Sequence, residues 1–522
     1  MAAGLPAREP GLDCGRESGD LTLCVPFVWP PLPFFLAVPA LMSAAQEGGT
    51  TDAMEASLAA GWKATFICSG LFVAGQTLPE IERNELSGIY PDYQRQYDQL
   101  PDAEVDQARQ LVSVTYAPDV PPRMAAYRPG FGCTQLPAGA GEEALGFLPR
   151  FASWPAPPAQ DRGSAIGSSV RIELKIEEAE RLDPPVSAAF DEITYGSGTR
   201  TASVIVVRDG QVVAERYDRG IDNETPVRTW SVAMSLTATL IGAARRQGLI
   251  AIDYPAVIAD WNKGADPRRA ITLRNLLHMA SGLDSGDSGS RTDRLYFAGA
   301  RVIDMAAKNS LEVKPGTRFK YANNDTLIAM RALREAMKDD KLFHRFPYEK
   351  LLHKIGAVHT TLEIDWNGDF ISSSQVWATG RDLARIGQLY LQDGMWGNER
   401  LLPEDWVEFV RTPAPAQPAV GNGYGAQFWL MNKSPGVPAG TFYAAGNRGQ
   451  YIVIIPALNT VVVRQGFDII GGAQFEIDRF TADVVTALNA ADAERVAERA
   501  AAEAAAAAEG EVRRATRIGR LN

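Results

Sequence analysis

"ASVIVVRDGQVVAERY", Ala202–Tyr217, sets two runs of β-branched residues on either side of Asp209-Gly210. β-branched side chains pack well on a pleated surface, and Asp-Gly adopts the positive φ of a tight turn, so the stretch predicts a β-hairpin. A second set of such runs lies near the other end of the chain: "AQFWLMN" from 426, "TFYAAG" from 441, "QYIVIIP" from 450 and "TVVVRQG" from 460. These read as successive antiparallel strands with short connections. Between the two sets, apolar residues recur at helical spacing over 231–249, 271–281, 301–309, 323–338 and 379–393. A closing helix follows at 473–490, with Phe475, Phe480, Val484 and Leu488 toward one face. Strands at both ends with helices between them predict an α/β sandwich: one antiparallel sheet, flanked by helices, with an inserted helical lobe.

Outward from this unit, at 180–490, the texture changes. Residues 47–165 form an N-terminal accessory region, with helical stretches such as "DAEVDQARQLVSV" (102–114) and Pro-rich punctuation at 117–122. "SWPAPPAQDRGSA" (153–165) reads as a linker. The tail, 491–522, is rich in Ala, Glu and Arg without an apolar face, and reads as a solvated helix or disorder. Residues 1–46 form a signal-like apolar leader ending in small residues near Ser43. Its four prolines between 26 and 33 disfavour a stable membrane span. Export to a periplasm or beyond is the expectation, with the cytoplasm as the alternative. Beyond the leader two cysteines remain, Cys68 and Cys133. They read as a disulfide in an exported chain or as two buried thiols in a cytoplasmic one.

The chain has 522 residues, 52 Lys and Arg against 63 Asp and Glu, and a net charge of −11. That balance argues against a nucleic-acid partner. "GDSG" (286–289) copies a serine-protease signature, but its helical setting lacks the two β-barrels such an enzyme needs, and a turn accounts for it. The four histidines, His278, His344, His353 and His359, show neither a paired i, i+4 metal spacing nor a cysteine cluster, so no metal and no cofactor is expected.

Ser231 starts a helix, where free N–H groups face outward and favour negative charge. Met234 lies one turn on, on the same face. Alone, this is also the pattern of a capping serine followed by core residues. Ninety residues later Tyr321 and Asn323 form Y-x-N after Pro315-Gly316, and Asn447, Arg448 and Gly449 follow a strand.

With "ITLRNLLHMASGLDSG" (271–286), "WATGRDLARIGQLYLQDGMWGNERLLPEDWV" (377–407) and "GQYIVIIPALNTVVVRQ" (449–465), the chain resembles the β-lactamase-related serine hydrolases over about 195–490. These include class C β-lactamases, penicillin-binding proteins, esterases and the 6-aminohexanoate-dimer hydrolase branch. The resemblance implies a β-lactamase/transpeptidase-like sandwich in which Ser231 is acylated by an amide or ester. Tyr321 would shuttle its proton, and the backbone N–H of Gln450 would join that of Ser231 in an oxyanion hole. Asn323, Asn447, Arg448 and Gly449 would bind substrate, Arg448 as a carboxylate anchor. Met234 departs from the family's S-x-x-K pattern: a thioether accepts no proton, so a folded but impaired hydrolase is expected. A pseudoenzyme that keeps the cleft for binding, or a penicillin-binding DD-peptidase-like protein, is the alternative. The partner in each case is a small molecule or short peptide.

Overall fold

The computed structural model describes residues 52–151, 176–285 and 293–519. The leader, the 153–165 run and the "GDSG" turn lie outside the described residues.

Six antiparallel strands form the main sheet, in the order Trp429–Leu430, Phe442–Gly446, Gln450–Ile455, Thr460–Gly466, Thr201–Arg208 and Gln211–Tyr217. The two ends of the sandwich meet where Val462 pairs with Val206. Period-2 alternation sorts side chains to opposite faces. Ile205, Val207, Val461 and Val463 join the large core with the helical lobe. Val204, Val206, Val453 and Val462 pack instead with Phe480, Val484 and Leu488 of the closing helix. The sheet is therefore covered on both faces.

The helices follow the expected order with shifted ends. Val232–Arg246 is buried from Val232 to Ala244. The helix expected over 271–281 is only Leu273–Leu277, started by the Thr272 side chain accepting from Asn275 N. It stops because Met279 turns to φ +54°. The strand expected over 426–432 shrinks to Trp429–Leu430, since Gln427 adopts φ +61°. The closing helix runs on through the tail as Ile477–Gly519, largely exposed over 492–507.

In the N-terminal region the stretch expected to be helical, 102–114, is a hairpin. Glu104–Asp106 pairs with Leu111–Val114 around Gln110 at φ +52°, and Val105 faces Val112 across it. With Arg123–Arg128 and Gly132–Gln135 it makes a four-stranded sheet against the helix Asp52–Phe72. Cys68 and Cys133 are joined as a disulfide across 65 residues, with Cα atoms 6.0 Å apart. Trp62 of that helix packs 6.1 Å from Trp230 and 5.1 Å from Phe297, placing this region in the same core as the sandwich. Among the described residues no helix is long and apolar enough to cross a membrane.

Candidate active site

Ser231 follows a short strand, Val227–Arg228, that pairs with Val376–Ala378. The chain then turns sharply: Thr229 N donates to Val376 O at 2.8 Å, and Trp230 takes φ +49°, a conformation costly for a bulky residue. Packing holds it there. The buried Arg228 guanidinium lies 3.7 Å from the Trp230 ring centroid, and its Nη2 donates to Ser374 Oγ at 2.8 Å. The turn leaves Ser231 half-buried at the head of a helix whose next thirteen residues are buried. The hydroxyl makes no capping bond to that helix. It faces the Tyr321 phenol instead. The capping role that the sequence alone allowed is thereby excluded.

Met234 is buried at 1% exposure in an apolar set with Met279 and Tyr424, bordered by Phe319, Tyr321 and Trp429. The Tyr424 and Trp429 rings meet edge to face at 4.8 Å, and Tyr321 lies 5.6 Å from Trp429. Burial pushes the Tyr321 phenol up to about 12, with the Ser231 contact pulling the other way. Tyr321 is consequently almost wholly protonated at neutral pH, so only a small ionised fraction can take a proton from Ser231 there.

Asn447, Arg448 and Gly449 form the turn of a tight hairpin in which Gly446 pairs with Gln450. The backbone pressed against Ser231 belongs to Gly446: a Cβ there would stand 2.5 Å from Thr229 O and 2.9 Å from Ser231 N. Only glycine permits that approach. Gln450, read by position as an oxyanion donor, is fully buried and does not line the cavity. Its side-chain Nε2 donates to Arg448 O at 3.1 Å and also to Gly466 O, which turns that side chain into the sheet, while its backbone pairs with Gly446. Arg448 departs further from its reading as a carboxylate anchor. Its Nε donates to Asp468 O at 2.9 Å, Nη1 to Asn84 O at 2.6 Å, and Nη2 to Ser87 O at 3.0 Å and Phe467 O at 3.2 Å. Burial holds its pKa below the usual guanidinium range, partly offset by Glu85. Asn323 is buried at the start of its helix and does not line the cavity either.

The cavity over Ser231 holds about 320 Å³ and brings together Ser231, Tyr321, Asn447, Gly449 and the backbone at Arg448. Its remaining wall comes from Trp429, Tyr451 and the loop from Asp468 to Gln474. The sequence carried one overlooked sign of that loop, "DIIGG" directly after a strand, an apolar pair followed by two flexible glycines. The loop is held from the N-terminal region, where Ile470 N donates to Gly88 O at 2.9 Å. Nothing in the sequence pointed to that contact. The histidines stand apart: His278 packs 5.2 Å from Phe409 with burial lowering its pKa to about 4, and His344 Nε2 meets Gly368 O at 2.8 Å. Among the described residues no group of His, Cys, Asp and Glu could hold a metal.

Known proteins resemble this chain in sequence and in fold. The beta-lactamase family profile matches residues 186–465. The 6-aminohexanoate-dimer hydrolase of Paenarthrobacter ureafaciens is 23% identical over 325 residues, 55% of this chain and 78% of that protein. A solved structure from Bacillus anthracis, itself a proposed 6-aminohexanoate-dimer hydrolase, aligns with a TM-score of 0.50 at 22% identity. It covers 59% of this chain and 82% of its own, and shares the fold.

Proposed function

This chain belongs to the beta-lactamase family of hydrolases, and on that premise we propose that it is an amide- or ester-cleaving serine hydrolase acylated at Ser231 and slowed by Met234. The supporting observation is the Ser231 hydroxyl, which leaves its own helix uncapped and faces Tyr321 at the base of a cavity. In the proposed reaction Ser231 Oγ bonds to the substrate carbonyl carbon. The carbonyl oxygen takes the negative charge, and the Ser231 N–H at the helix start and the Asn447 N–H beyond Gly446 stabilise it. The C–N or C–O bond then breaks, the leaving group takes the proton, and water releases the acyl group. Tyr321 is the conduit for that proton, but its high pKa makes it a reluctant base without a neighbouring cation. Loss of a general base costs about 10²–10⁴ in rate.

The test compares the chain with its Met234→Lys and Ser231→Ala variants on p-nitrophenyl esters and short amides. The Met234→Lys variant is expected to gain about 10²–10⁴ in kcat/KM, and Ser231→Ala to stay at background. If no form exceeds Ser231→Ala, the hydrolase reading is lost. One observation favours a second reading, a binding protein that keeps the cleft: Met234 is packed among Met279, Tyr424 and the rings of Phe319, Tyr321 and Trp429. That reading predicts ligand binding without turnover even after Met234→Lys.

A further inference from the structure

The charged side chains among the described residues lining the cavity are Arg448 and Asp468. Neither faces a ligand. Arg448 donates to four backbone carbonyls, at Asn84, Ser87, Phe467 and Asp468. Asp468 Oδ1 accepts from Arg200 N at 2.8 Å and Arg464 Nη2 at 2.8 Å, and its Oδ2 accepts from Arg464 Nη1 at 2.9 Å. Both residues are at most 5% exposed. The neutral polar side chains at the rim are Asn447 and Gln474, and the walls are the rings of Trp429, Tyr321 and Tyr451. Ile469 stands at the mouth at 50% exposure, an apolar side chain held out toward solvent. Gly88 lies beside it: a Cβ added there would stand 3.1 Å from Ile469 Cγ1.

We propose that this cavity takes a neutral, apolar acyl group and discriminates against acyl groups ending in a carboxylate. The proposal rests on the reading of the cavity as the acyl site. A carboxylate entering it would leave its hydration shell and find no cation to replace the lost hydrogen bonds. An alkyl or aryl chain would instead cover Ile469 and the rings, where removal from water is favourable. A volume of about 320 Å³ suits a short chain. The same argument counts against a 6-aminohexanoate dimer, which is charged at both ends at neutral pH.

The experiment uses two probes of equal chain length, N-hexanoyl-p-nitroaniline and its mono-adipoyl counterpart, with a carboxylate where the first has a methyl. Their dissociation constants for the full chain are measured at pH 7.5 by quenching of tryptophan fluorescence. The neutral probe is expected to bind at least about tenfold more tightly. Equal affinities, a preference for the adipoyl probe, or no binding of either overturns the proposal. Ile469→Arg, which supplies a cation at the mouth, is expected to narrow the gap; an unchanged gap also overturns it. The same probes are then offered to the Met234→Lys chain as substrates. Tight neutral binding with no p-nitroaniline release, together with no ester turnover above Ser231→Ala, would sink the hydrolase reading alone and leave this inference standing.

Discussion

On the proposed reading, Met234 sets how much chemistry this site performs. Met is nearly as long and as unbranched as Lys, so it fills the same space without disturbing the fold while removing both the base and its charge. What remains beside Ser231 is a phenol raised to about 12. Below that value its ionised fraction grows tenfold for each pH step of one. Any Ser231-dependent turnover of the unaltered chain is therefore expected to climb about tenfold per step between pH 7 and 9, measured against Ser231→Ala as the blank. In Tyr321→Phe the slope should vanish; a slope that persists would show that the proton leaves by another route. Glu363 titrates in a different place, beside the disulfide. Burial lifts its carboxyl to about 7, although Ser69 Oγ at 2.6 Å and Cys133 N at 3.0 Å both donate to it. The folded state thus holds a proton that the unfolded chain releases near 4.5. Stability contributed by this group is full at low pH and declines as pH rises from about 4.5 to about 7. Glu363→Gln keeps the acceptor and should flatten that decline, gaining on the unaltered chain by roughly 2–3 kcal/mol at pH 8 relative to pH 4.5 in denaturant titrations.

At the scale of elements, the hairpin joining Phe442–Gly446 to Gln450–Ile455 carries both a close approach and a tie across the molecule. Gly446 lets the strand press against Ser231 N, so Gly446→Ala must displace one backbone or the other. Its expected signature is a fall in activity of the Met234→Lys background by about 10²-fold or more, the scale of one oxyanion donor, with a smaller loss of Tm. Activity close to that of the Gly446 form would show that this strand does not set the site. The disulfide is the second such tie. It joins the helix Asp52–Phe72 to the strand Gly132–Gln135 across 65 residues. A loop of that size is worth about 3–5 kcal/mol in the chain-entropy model. Cys68→Ala with Cys133→Ala is expected to lower the denaturation midpoint accordingly, and reductant should no longer affect the variant.

Across the whole molecule, the N-terminal region and the sandwich share one core. Trp62 packs against Trp230, the residue before Ser231, and Arg448 bonds to the carbonyls of Asn84 and Ser87. A chain starting at residue 176 would expose that face of the core, and is expected to lack a cooperative thermal transition, whereas the full chain should unfold in one step through 52–491. Alternating β-branched runs and their tight Asp-Gly turn made the sheet legible, because period-2 patterning and turn chemistry are local. Ser231, Met234 and Tyr321 stood out only because several short motifs in the right order resemble those of one family; the spacing of Ser231 and Met234 alone fits a capping serine equally well. The hairpin at 104–114 was misread as helix because pairing of Val105 with Val112 outweighed the local preference of the Ala, Gln and Arg between them. The sequence by itself determined which residues alternate into a sheet, which serine heads a helix, and that no lysine follows it. The direction of each polar group was decided only by the tertiary structure. The hydroxyl of Ser231 could cap or attack, and the guanidinium of Arg448 could meet substrate or backbone. Each choice depends on which distant donors, acceptors and rings the fold brings within about 3–4 Å, a distance that no spacing along the chain encodes.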